Sequence, residues 1–176
     1  MLIGYGRALQ EMAQVHGIHN VFDDNGYKDL LLLTLFGLRK LGRSGDDAVD
    51  DEGRQYETKT ISRLSSKGVR KESLSLTTEH TMTLANIERY RKTFLWIVAV
   101  FAGAQPEGIW ELSPQALEPF FALWESRLRE RAPDGRLLRD HLNNPKIPMK
   151  FIDEHGIQVW PVKEATPGYE APTSSS

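Results

Sequence analysis

The stretch Phe94-Leu95-Trp96-Ile97-Val98-Ala99-Val100-Phe101 limits the possible folds more than any other part of the chain. It is continuously apolar and rich in β-branched and aromatic side chains, as expected of a strand covered on both faces. Such a strand requires a sheet with a layer packed on each side. Residues 108–112 read as its partner, and residues 54–60 alternate polar and apolar in the manner of a further strand. Helical patterns lie between and after these segments. The expected class is α/β (α+β), with a central mixed β-sheet flanked by helices. A chain of 176 residues is one domain of ordinary size, able to bury a core without staples.

The N-terminal part reads as helical. Leu9, Met12, Ala13 and Val15 recur at helical spacing over residues 7–16, with Gly17 placed to end the helix. His16 and His19 have no further ligand cluster nearby, which favours a capping or core role for both. A second helix is expected over 30–41, capped by Asp29 and closed by Gly42. It is apolar nearly all round and so is buried either centrally or in a subunit interface. Residues 62–81 are basic and rich in Ser and Thr. They suit a solvated loop or an arm contacting phosphates. Thr83 should cap a helix running to Lys92. Ser113-Pro114 should open another, in which Pro119 predicts a kink or a late start. A stiff polar turn at residues 141–148 precedes an expected terminal hairpin, 149–152 with 157–161. Residues 164–176 are expected to be disordered. The domain reading is therefore a single unit over 1–163. It comprises 1–42 helical and suited to a dimer interface, 43–112 carrying the sheet, 113–163 carrying a helix and a recognition hairpin, and then a tail.

Chemistry concentrates at Gly45-Asp46-Asp47-Ala48-Val49-Asp50-Asp51-Glu52-Gly53-Arg54-Gln55-Tyr56-Glu57-Thr58-Lys59-Thr60. Glu57 and Lys59, two apart on a strand, point to one face. Asp47 lies ten residues before Glu57, across a tight turn at Asp51-Glu52-Gly53 that can fold it back beside the pair. Two carboxylates and an amine on a strand can hold a hard divalent cation next to a water, and that combination hydrolyses phosphodiesters. A Glu-x-Lys triplet alone arises by chance about once in 280 residues, and acid-rich stretches are commonly solvated surface. The triplet gains weight from the turn and strand around it.

The net charge is −2, yet its distribution is uneven. Residues 54–92 hold nine Lys and Arg against four Glu, whereas residues 1–53 hold five against nine acids. A basic face is thus compatible with a slightly acidic total. The chain has no cysteine, which excludes disulfides, thiolate metal sites and a cysteine nucleophile. No apolar run has the length of a membrane span and nothing resembles a signal peptide, so a cytoplasmic protein without membrane partners is expected.

His16-Gly17-Ile18, Asp24-Asn25-Gly26 with Lys28, Asp47-Ala48-Val49-Asp50, Tyr56-Glu57-x-Lys59, Asn143-Asn144-Pro145-Lys146-Ile147-Pro148 and Glu154-His155-Gly156 form an ordered set. In that set, spanning residues 16–160, the chain resembles the PvuII family of type II restriction endonucleases, within the PD-(D/E)xK nuclease superfamily. The resemblance implies a homodimer clasping a palindromic double-stranded DNA and cutting both strands with Mg²⁺. It further implies a cognate DNA methyltransferase in the same restriction system. Asp47 and Glu57 would be metal ligands, joined by the Thr58 carbonyl, and Lys59 would position or deprotonate the attacking water. Asn143 and Asn144 would read bases, as an Asn amide can do by bonding adenine N6 and N7. His80, Asp24 and Tyr90 would lie near DNA or the active site. The implied target is CAGCTG cut to blunt ends. The family carries a histidine run where this chain reads Thr78-Glu79-His80-Thr81-Met82, so readout there is expected to differ. Two alternatives stay open, a structure-specific repair or recombination nuclease on the same core and a DNA-binding module without catalysis.

Overall fold

Strand β6 (Leu95–Ala102) runs parallel to β3 (Gln55–Ser62) and antiparallel to β7 (Gln105–Leu112). The computed structural model that places them describes residues 2–22, 25–41 and 47–161. β1 (Arg39–Lys40) and β2 (Ala48–Val49) continue the sheet beyond β3, and β10 (Ile157–Trp160) continues it beyond β7. The order is β1-β2-β3-β6-β7-β10. Side chains of β6 divide by parity. Trp96, Val98 and Val100 enter one core with Ile87 and Tyr90 of α3 (Leu84–Lys92), Phe121 and Trp124 of α4 (Pro114–Arg129), and Ile152 of α5 (Met149–His155). Ile97, Ala99 and Phe101 enter a second core with Ala13 of α1 (Leu2–Val15) and Leu30, Leu32 and Leu33 of α2 (Gly26–Phe36). The mixed sheet covered on both faces is therefore as expected.

Helix ends follow their caps. Thr83 Oγ1 accepts from the Asn86 N–H while Asn86 Oδ1 accepts from the Thr83 N–H, a reciprocal capping box. Ser113 accepts from the Ala116 N–H, with Pro114 in the first turn. α4 neither starts late nor breaks at Pro119. α1 begins at Leu2, earlier than its periodicity indicated. It leaves Leu2, Ile3, Tyr5 and Val15 exposed, and Gly17 ends it with φ 78°. His16 has the structural role expected, its Nδ1 lying 2.7 Å from the Leu38 carbonyl oxygen.

Two expectations are corrected. The second helix spans Gly26–Phe36 rather than 30–41, with Asn25 and not Asp29 at its N-cap. Gly37 adopts the left-handed conformation (φ 63°) and stops the helix, after which residues 39–40 turn into β1. Gly26 is required at the start, because a Cβ there would meet the Asn20 and Val21 carbonyl oxygens at 2.6 Å. The expected terminal hairpin is a helix followed by a strand. Met149 and Ile152 are buried three residues apart and the Phe151 and His155 rings stack at 4.0 Å, both helical spacings. β10 then pairs with β7.

A ribbon stands apart from the main sheet. β4 (Ser75–Thr77) pairs with β9 (Lys146–Pro148), and β5 (Thr81–Met82) pairs with β8 (Leu142–Asn143). The register moves by one residue between the two pairs, so residues 78–80 face only 144 and 145, the geometry of a β-bulge. Thr78 donates to the Pro145 carbonyl through both N–H and hydroxyl, and the Asn144 N–H donates to the His80 carbonyl at 3.1 Å. The polar segment 62–81 is thus partly ordered as ribbon. Gly42 and the tail 164–176 lie outside the described residues. Among the described residues no helix is long and apolar enough to cross a membrane.

Candidate active site

The acidic turn is built by one of its own side chains. Asp50 Oδ1 accepts from the N–H groups of Glu52 and Arg54, and its Oδ2 accepts from Arg54 Nε at 2.6 Å and the Tyr56 hydroxyl at 3.0 Å. Desolvation raises the Asp50 pKa, but these bonds outweigh it and bring the pKa down to about 2. Gly53, at φ 79°, closes the turn. The turn sets the register of β2 against β3, pairing Ala48 with Tyr56 and Val49 with Gln55. A folded-state pKa below the unfolded value stabilises the fold above the ordinary 3.8, and that contribution disappears as pH falls towards about 2. Asp50→Asn is therefore expected to lower the thermal midpoint at neutral pH. The gap from the parent should shrink between about pH 4 and pH 2 in a melting series.

One residue beyond this register, Asp47 reaches β3 with its side chain. Its Oδ2 accepts from the Thr58 N–H at 3.0 Å and the Thr58 hydroxyl at 3.3 Å. In a strand the N–H and C=O of one residue share an edge, so the Thr58 carbonyl also opens towards Asp47. β2 covers β3 for only two residue pairs, which leaves that edge to a cleft of about 320 Å³. Asp47, Thr58, Lys59, Thr60, Asp29 and Lys40 line it. Asp29 and Lys40 are ion-paired at 2.7 Å.

Glu57 is 1% exposed and sits between two cations. Lys59 pairs with its Oε1, and Arg89 Nη1 donates to its Oε2 at 2.9 Å. Burial pushes the Glu57 carboxyl above the ordinary carboxylate range, and the two cations oppose that push without cancelling it. Tyr90 backs the group, its ring 5.8 Å from Lys59 Nζ and 4.5 Å from the Arg89 guanidinium. Its hydroxyl donates to Glu79 at 2.8 Å, and burial followed by the Glu57 and Glu79 charges raises its pKa.

Asp47 and Lys59 thus line one cleft, and Glu57, paired with Lys59, is near enough to Asp47 for that charge to add to the rise of its pKa. A hard divalent cation takes oxygen ligands, and two carboxylates with a main-chain carbonyl on an open edge fit that requirement. Among the described residues there is no group of three or more His, Cys, Asp or Glu side chains suited to a metal. Asn143, Asn144 and His80 are exposed together on the ribbon, Asn144 with φ 45°. Asn143 Oδ1 lies 3.1 Å from His141 Nε2. Two expected positions fare differently. Asp24 lies outside the described residues. Tyr90 is fully buried, so it supports the site from behind and offers no surface to DNA.

Sequence reading missed Arg89, Glu79 and the full extent of Asp50's role. Arg89 precedes Tyr90 on a short helix rich in basic residues. Only the placement of α3 against β3 reveals that it meets Glu57.

One protein family matches nearly all of the described chain. The family model described as Restriction endonuclease PvuII matches residues 2–160, which covers the sheet, the cleft and the ribbon. The chain belongs to the PvuII family of restriction endonucleases, type II enzymes that hydrolyse DNA phosphodiesters.

Proposed function

We propose that this endonuclease uses Mg²⁺, recognises a short palindromic duplex and cuts both strands as a homodimer. The observation carrying the reading is that Asp47 and Lys59 line one cleft beside an open strand edge, with Lys59 paired to the Glu57 carboxylate. Asp47, Glu57 and the Thr58 carbonyl would hold the cation. When bound, such a cation polarises the phosphodiester and lowers the pKa of water. Lys59 orients the attacking water, and its pairing with Glu57 keeps its ammonium pointed at the site. Burial raises the Glu57 pKa, and a divalent ion held there would favour its ionised form as Lys59 and Arg89 do.

On the ribbon, Asn143 and Asn144 read base edges, with His80 beside them. Two-strand cleavage of a palindrome needs two sites related by a two-fold axis. The exposed Leu2, Tyr5 and Met12, on one face of α1, offer an apolar surface for that pairing. CAGCTG with blunt ends is the proposed target, and a cognate methyltransferase is the proposed protection of the host genome.

The test is digestion of a plasmid of known sequence with Mg²⁺ and mapping of the cut ends. Discrete fragments ending at one palindrome are expected. A smear, or cutting at branches irrespective of sequence, would replace this reading with that of a nonspecific or structure-specific nuclease.

A further inference from the structure

The ribbon and the Glu57 carboxylate are joined by a single run of contacts. In the bulge, the Glu79 carboxylate reaches the core side. Its Oε1 accepts from the Tyr90 hydroxyl at 2.8 Å and from Arg89 Nη2 at 3.1 Å. The other arm of the same guanidinium donates to Glu57 Oε2 at 2.9 Å. The Tyr90 ring, 4.5 Å from the guanidinium carbon, supports the fork. On the outward side, the residue after Glu79 is His80, whose carbonyl accepts from the Asn144 N–H. The path from the exposed asparagine to the buried carboxylate is Asn144, His80, Glu79, Arg89, Glu57.

We propose that Glu79 and Arg89 are a positioning pair that couples the seating of the ribbon on DNA to the readiness of Glu57. The proposal rests on the roles given above to Glu57 and Asn144. Its basis is the sharing of one cation between two carboxylates. While Glu79 holds its share of Arg89, Glu57 keeps more of its negative charge for a divalent ion. When the bulge shifts and Glu79 withdraws, Arg89 leans further to Glu57, and a carboxylate neutralised in this way is a weaker ligand. A ribbon that fails to seat on a wrong base pair therefore leaves Glu57 compromised. The bulge is the place where such a shift is accommodated, because residues 78–80 have no one-to-one partners.

The test uses the full-length protein, a duplex carrying the mapped site and a second duplex with one base pair altered. Single-turnover cleavage is followed on each across a Mg²⁺ series. Glu79→Gln removes the charge and keeps the shape. It is expected to raise the Mg²⁺ concentration at half-maximal rate and to shrink the rate ratio between the two duplexes by about 5- to 150-fold. Glu79→Asp should recover most of both. Arg89→Lys keeps the charge but loses the two-armed fork, and should shrink the ratio likewise. The double variant should lose no more than either single one, because the pair acts as a unit. An unchanged ratio, or an equal fall on both duplexes with the same Mg²⁺ dependence, overturns the coupling. If Glu79→Gln does not fold, Arg89→Lys decides. Undiminished cleavage by Lys59→Ala overturns the underlying reading of the site. An inactive Lys59→Ala with an unaltered ratio in Glu79→Gln and Arg89→Lys overturns the coupling alone.

Discussion

Lys59→Ala is expected to slow single-turnover cleavage by roughly 10²- to 10⁴-fold, the range for a group that handles a proton in the transition state. Binding to the target duplex should be retained, since Lys59 is only 17% exposed and is paired with the buried Glu57. Two losses combine. The water loses its positioning ammonium, and Glu57 loses a charge that opposes the effect of burial, so its carboxyl moves further above the ordinary range. Lys59→Arg should not restore the rate, because a guanidinium cannot take and return a proton near neutral pH. A gel-shift assay without Mg²⁺ beside rapid-quench cleavage separates binding from turnover. A cleavage rate in Lys59→Ala close to that of the parent would falsify the assignment.

Trp96→Ala is expected to destabilise the fold by about 3–5 kcal/mol, the usual cost of emptying a large aromatic site. Against a total of roughly 5–15 kcal/mol for an ordinary domain, that change brings the protein close to unfolding. Trp96 is fully buried, is paired in register with Glu57, and has its ring 4.5 Å from Tyr90 and 6.1 Å from Phe121. The void would open beneath Tyr90, so activity should fall before global unfolding is complete. Urea denaturation followed by circular dichroism, alongside cleavage at each urea concentration, measures both. Equal midpoints for parent and variant would mean that the sheet closes over the gap without cost.

Much of this arrangement was legible in the chain. The apolar run at 94–101 required two covering layers, and both cores are present because alternate side chains of β6 serve opposite faces. Thr83 and Ser113-Pro114 marked their helices, since capping is a local matter of one side chain and three amides. The spacing of Asp47 to Glu57 across a glycine turn was local too, and the structure brings Asp47 to Thr58. What escaped was decided at longer range. Residues 38–41 are apolar or basic and suit a helix, but the left-handed Gly37 ended the helix and Arg39 and Lys40 paired in β1. Residues 149–155 have no strong period over so short a length, and the burial of Met149 and Ile152 against the sheet settled them as helix. Arg89 and Glu79 are ten residues apart and unremarkable in sequence. Their meeting over Tyr90 depends on a bulge whose partner strand lies more than sixty residues further along.

The separateness of the ribbon bears on how a new target could be inherited. Its four short strands pair only with one another, and none of them belongs to the six-stranded sheet. Exposed positions such as His80, Asn143 and Asn144 can therefore vary without disturbing any ladder of the sheet or the burial of Trp96. Glu79 is the exception, because it faces inward to Arg89. On the proposal that these positions read bases, lineages descending from such an enzyme have wide latitude in the letters they read, provided that this one carboxylate keeps its place.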